Sequence, residues 1–161
     1  MNTSGQVDPK SKGVTENENR YEKAWGQGVT EMFAPPKDSP WGMVDYADIL
    51  CPGVFLVYTH EHGGTMVARD IECFLSPAAR RYGQRNNGFI CFEQDADEDI
   101  VFRELLDKKL WDIPARVRNK TAFEENINNA LRRNHPQYWR SRENGRVHVP
   151  PVIPTPTRAE R

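Results

Sequence analysis

Between Gly53 and Asp95 the chain carries its only runs dense enough in Val, Ile, Phe and Tyr to be buried strands, and whatever else folds must fold around them. Along Val54 to His60, residues Val54, Leu56, Tyr58 and His60 share one face, and Phe55, Val57 and Thr59 share the other. Both faces are largely apolar, which places this strand inside a sheet. A second run, Thr65 to Asp70, follows after Glu61-His62-Gly63-Gly64. The glycine pair supplies positive φ without a Cβ clash, so the two runs read as a β-hairpin with the bend at Gly63-Gly64 and no reactive group on it. Gly88 to Gln94 is the third strand. The fold class that follows is α+β: a small antiparallel sheet of about three strands, packed by two or three helices, with disordered tails at both ends.

The helices announce themselves by periodicity and caps. Ile71 to Gly83 reads as one or two short helices, with Ser76 as N-cap, Pro77 in the first turn and Gly83 as a left-handed cap. Gln84 to Asn87 reads as a polar turn. Ala96 to Trp111 spaces Val101, Phe102, Leu105, Leu106 and Leu110 along one face, with acids at its start and Lys108 and Lys109 at its end. Thr121-Ala122-Phe123-Glu124 has the form of a capping box, opening a helix that runs to His135-Pro136. Gln137-Tyr138-Trp139 adds one more turn.

Ahead of the sheet, Tyr21 to Phe33 spaces Tyr21, Trp25, Val29, Met32 and Phe33 as a short helix would. Ala34 to Pro40 is a proline-dense connector ending at the Trp41-Gly42 turn, and Asp45 to Leu50 leads into the turn Cys51-Pro52-Gly53. Residues 1–19 hold almost no aliphatic side chains and form a disordered leader. Residues 20–142 form a single α+β domain. Residues 143–161, interrupted by prolines, form an extended tail.

Charge and composition exclude several roles. A net charge of −1 over 161 residues gives the whole molecule no strong attraction for a polyanion or an acidic membrane. No run approaches the roughly 18 apolar residues of a membrane span, and the first residues lack the apolar core of a secretory signal, so the expectation is a soluble cytoplasmic protein. Cys51, Cys73 and Cys91 are odd in number and widely spaced, which fits reduced thiols acting as small buried hydrophobes.

Three constellations could carry chemistry. His60 and His62 could bind a metal, with zinc the natural choice, if Glu61, Cys73, Cys91, Glu93 or Asp95 joined them. The acids Glu93, Asp95, Asp97, Glu98 and Asp99 could hold Mg²⁺, although carboxylates at a helix N-terminus need no ligand to explain them. Arg116, Arg118 and Lys120, and then Arg132, Arg133, Arg140, Arg142 and Arg146 interleaved with His135, Tyr138 and Trp139, have the mixture that meets phosphates and stacks on bases. There is no GxSxG elbow, no phosphate loop and no base beside a cysteine.

Pro40-Trp41-Gly42, Pro52-Gly53-Val54, Thr59-His60-Glu61-His62-Gly63-Gly64 and the strand ending Cys91-Phe92-Glu93-Gln94-Asp95 give residues 39–110 their likeness. That stretch resembles a small domain encoded on bacteriophages and conjugative elements. The resemblance implies a setting and no catalytic role: an accessory protein of a mobile element, for which interference with host defence is one common job.

The function expected is therefore a non-enzymatic interaction protein. Its partner would be a protein encoded by the host or the element, plausibly a host defence or DNA-processing protein, and no cofactor is needed. The surface expected to bind comprises Trp41, His60, His62, Tyr138, Trp139, Arg140 and Arg142, because aromatics and arginine are enriched at binding surfaces. One alternative is a metal-binding protein or metal-dependent enzyme with zinc on His60, His62, Glu93 and Asp95. The other is a nucleic-acid-binding accessory protein that uses the Arg132 to Arg146 segment. The oligomeric state stays open.

Overall fold

The computed structural model describes residues 33–148. The expected leader, all of the Tyr21 to Phe33 helix but its last residue, Trp25, and the proline-rich segment from residue 149 onward lie outside the described residues.

Among them the chain forms a five-stranded antiparallel sheet and a two-stranded one. The small sheet pairs β1 (Asp38–Ser39) with β2 (Gly42–Met43). The large sheet is built from β3 (Tyr46–Cys51), β4 (Val54–Tyr58), β5 (Gly63–Ala68), β6 (Gln84–Asn86) and β7 (Phe89–Glu93), in the order β3-β4-β5-β7-β6. The α+β class holds, but the expected count of about three strands is too low. The strands it misses are those without an apolar run. In β3, Asp48 and Ala47 dilute the signal, and β6 is entirely polar because it is a short edge strand that needs only its backbone to pair.

The β4–β5 hairpin and the interior position of β4 are as expected. The bend is not at the glycines. Val57 pairs with Gly64 and Tyr58 with Gly63, so both glycines belong to β5, and the connection is Thr59–His62. Neither glycine has a positive φ. They are required by close approach: a Cβ on Gly63 would collide with the Val57 carbonyl oxygen, and one on Gly64 with the Phe92 carbonyl oxygen and the Trp41 ring. Gly83 departs from expectation in the same way. It is no left-handed cap, and a Cβ there would meet the Ile90 side chain.

Each face of the sheet buries a core. On one, Leu50, Val54, Val67, Ile90 and Phe92 pack with Leu75 and with four helices. These are α1 (Pro77–Arg80), α2 (Glu98–Asp107), α3 (Lys120–Asn134) and α4 (Pro136–His148). They contribute Ile100, Val101 and Leu105 from α2, Ile127 and Leu131 from α3, and Tyr138 from α4. On the other face, Phe55, Val57, Met66 and Cys91 are covered by Phe33, Trp41 and Val44 from the segment before β3. Each such side chain taken fully out of water contributes about 1.5–3 kcal/mol.

Side-chain caps mark the starts of α1 and α3. Ser76 caps α1 as expected, its hydroxyl accepting from Ala79 N at 3.1 Å. The cap of α3 is Asn119, whose side chain accepts from Ala122 N at 2.9 Å, in place of the Thr121 capping box. α4 runs through to His148, so residues 143–148, expected as the start of an extended tail, continue the helix. Two buried charged residues tie the helices together. Arg103 donates to Asn128 and Glu124, both at 2.8 Å, and to Asp107 at 3.1 Å, while Glu104 accepts from Ser76 N at 2.6 Å and from Lys108 at 3.1 Å. No helix among the described residues is long and apolar enough to cross a membrane.

Candidate functional site

One end of the large sheet gathers Trp41, His60 and His62, three of the seven residues that the sequence marks for the binding surface. β3 begins there with Tyr46, β4 ends there with Tyr58, and the Thr59–His62 connection leads into Gly63 of β5. Thr59 fixes that connection from both sides. Its backbone N donates to the His62 carbonyl at 2.8 Å, its hydroxyl donates to the same oxygen at 2.6 Å, and it accepts from His62 N at 3.2 Å. These bonds close the turn, on which His60 and His62 stand exposed. Trp41 reaches the same end from the β1–β2 hairpin, half-buried with its ring over Gly64. The absent side chain at Gly64 is what lets that ring lie close.

The end is also where large apolar side chains stay wet. Met43 is 77% exposed, Tyr46 55% and Tyr58 41%. Tyr46 and Tyr58 are direct cross-strand partners with ring centroids 5.8 Å apart. The two tyrosines lie on the face that carries the helices, whereas Trp41 covers the other face over Gly64, so the aromatic residues flank this end of the sheet from both sides. Large apolar and aromatic groups left open together are the mark of a binding surface, since scattered single ones need no explanation. Met43, Tyr46 and Tyr58 are absent from the residues expected to bind. Tyr58 reads in the sequence as one more strand residue, and only its exposure in the fold shows that the helices leave it partly uncovered.

The acidic run comes to the same end on β7. Glu93 pairs with Gly64, Gln94 N donates to the Gly63 carbonyl at 2.9 Å, and Asp95 takes a left-handed conformation at φ 60° to turn the chain towards α2. His60, His62, Glu93 and Asp95 are all exposed, yet among the described residues no group of three or more His, Cys, Asp or Glu is arranged to hold a metal ion. Behind them Glu98 is the group that titrates near neutrality. Burial pushes its carboxyl up to about 7, helped by the negative charges of Asp99 and Asp95. Burial likewise raises Asp97 and Asp99, with His135 opposing. The Tyr58 phenol is pushed up first by burial and then by Asp48 and Glu98, against Arg116.

The remaining expected binding residues sit on α4, where Tyr138, Trp139 and Arg142 serve the fold. Tyr138, expected as an exposed aromatic, is 1% exposed, because the first turn of α4 packs onto the core. Trp139 is half-buried between the guanidinium groups of Arg132 and Arg142, which stand 4.7 and 4.8 Å from its ring centroid. Arg142 in turn donates to both carboxylate oxygens of Asp107, at 2.6 and 2.8 Å, and to Glu143 at 2.7 Å. Arg142 and Trp139 are thus engaged with the protein itself, and Arg140 alone of the α4 set is exposed.

Cys51 and Cys91 are buried, with thiols pushed up to about 12 by burial, whereas Cys73 is exposed; all three are free. Residues 34–150, well over half of the chain, match the model of DUF7007, a domain of unknown function, and this span contains the 39–110 stretch that carries the resemblance. The match names no setting and no activity. No curated protein and no solved structure matches the chain.

Proposed function

We propose that this chain, which belongs to the DUF7007 family, is a non-enzymatic interaction module that docks a partner protein on the end of its sheet formed by Met43, Tyr46, Tyr58, Trp41, His60 and His62. The observation that carries the reading is the pairing of two solvent-open tyrosines across β3 and β4, next to the hydrogen-bonded Thr59–His62 connection and with Met43 exposed as well. Rigid aromatics lose little entropy on binding and anchor interfaces well. The setting that goes with this is the one the resemblance implies. It is an accessory protein of a mobile element, working in the cytoplasm, where its three free cysteines stay reduced, and engaging a host defence or DNA-processing protein.

The test is affinity capture with the full chain and with a Tyr46→Ser/Tyr58→Ser variant. A partner at near-equal amount, present with the parent chain and lost with the variant, supports the reading. A partner held equally by both places the contact elsewhere, and the same capture followed by Arg140→Ala shows whether α4 carries it.

A further inference from the structure

The two edges of the large sheet are built differently. At one edge β6 is three polar residues, and its Arg85 donates to both carboxylate oxygens of Glu72, at 2.8 and 3.0 Å. A short, charged edge discourages further pairing. At the other edge β3 has six residues without a proline or a glycine, and among the described residues β4 is the strand it pairs with. Its far end, Leu50 and Cys51, is buried, and the register slips between Ile49 and Cys51. The regular part of this edge is therefore Tyr46–Ile49, exposed at Tyr46 and half-buried over the other three residues. Backbone N–H and C=O groups of a strand alternate in direction, so half of those on Tyr46–Ile49 point away from β4. An extended chain is what matches such a row of donors and acceptors.

The side chains of the edge specify what that chain carries. Tyr46 and Asp48 lie on the helix-bearing face, opposite Tyr58 and Leu56, while Ala47 and Ile49 lie on the other, opposite Val57 and Phe55. A neighbouring strand sets apolar residues beside Ala47 and Ile49 and, between them, a residue beside the Asp48 carboxylate, where a cation is favoured. A second copy of this chain fits badly. Two-fold pairing keeps the faces of both sheets, and the register that engages Ala47–Ile49 sets Asp48 directly against the second Asp48. We infer that the partner protein adds a short extended segment to the outer edge of β3, with a Lys or Arg facing Asp48 and an apolar residue on each side of it. The inference rests on the docking reading for the partner's place, since Tyr46 belongs to both, and adds the form in which the partner arrives.

The experiment titrates the ¹⁵N-labelled full chain with the peptide Thr-Val-Arg-Val-Thr, blocked at both ends. Saturable movement of the Tyr46–Ile49 resonances and slowed hydrogen exchange at alternate amides of that stretch are the expected result. N-methylation removes backbone donors, so of two peptides, one methylated on both valines and one on the arginine, one should lose binding and the other keep it, because strand donors alternate in direction. Glu in place of the arginine should weaken binding about tenfold. Absence of slowed β3 amides with the arginine peptide overturns the inference, and so does equal loss with both methylation patterns or equal binding of the Glu peptide. Slowing of the same amides when the chain is concentrated alone gives the edge to a second copy and also overturns it. The docking reading fails by itself when the peptide protects β3 but the captured partner is held equally by the Tyr46→Ser/Tyr58→Ser variant. The strand inference fails by itself when that variant loses the partner and no peptide protects β3.

Discussion

Tyr46 and Tyr58 face each other across the first two strands of the large sheet, 5.8 Å between ring centroids, and both remain open to solvent. An aromatic pair on a sheet ordinarily contributes to the core. Here it contributes to a surface, because the helices stop covering the sheet before its β3–β4 end. Changing either tyrosine to serine should lower stability in urea by less than about 1 kcal/mol, the scale of one cross-strand pair. Binding of the partner should fall by more than about thirtyfold, the scale of a hot-spot loss. A large stability loss with binding intact would make the pair a structural feature only.

Gly64 should tolerate no side chain. Gly64→Ala places a methyl against the Phe92 carbonyl and the Trp41 ring, so its thermal and urea transitions should show a loss of about 3 kcal/mol. Gly145→Ala is the contrasting case. That glycine lies within α4 with nothing around a new Cβ, and the change should be neutral or stabilising by up to about 1 kcal/mol.

The positions of the bend and of the missed strands show what the sequence makes legible. The apolar runs of β4, β5 and β7 are visible because they are buried on both faces, and the helix periodicity of α2 and α3 is visible for the matching reason. Gly63-Gly64 reads as a turn because local rules ask only about φ. What fixes those glycines is the approach of two backbone carbonyls and of Trp41 from residues distant in sequence, which no local pattern contains. β3 and β6 are hidden because an edge strand needs only one neighbour and carries polar residues. For the site, Trp41, His60 and His62 are recoverable as turn residues, whereas Tyr58 and Met43 become surface residues only through tertiary cover. Tyr138 and Trp139 fail in the opposite direction: a helix that the sequence reads as a single turn runs on for thirteen residues and buries one of them in the core.

The α3 cap separates two readings of one short segment. Asn119→Ala removes the acceptor for Ala122 N and should cost about 1 kcal/mol, while Thr121→Ala should stay within about 0.5 kcal/mol of the parent. Equilibrium urea unfolding of the two variants side by side checks this.

Glu98 should set a pH dependence of stability. Its folded pKa of about 7 lies above the ordinary value of 4.5, so between those values the folded chain keeps a proton that the unfolded chain has released. Its contribution is most favourable below 4.5, declines as pH rises to about 7 and is flat beyond. The decline amounts to at most about 3 kcal/mol. Glu98→Gln should flatten that part of the profile and raise stability at pH 8. Asp97 and Asp99, both raised by burial, would supply whatever slope remains. Urea midpoints of parent and variant from pH 4 to 8 report it.

The most direct measurement of the docking surface is site-specific photocrosslinking. A benzophenone side chain is introduced in place of Tyr46 in one sample and in place of Arg140 in another, each illuminated with the partner recovered by capture. Adducts from position 46 and none from position 140 are the result predicted. Adducts from position 140 with none from 46 would move the interface to α4 and contradict the assignment of the sheet end.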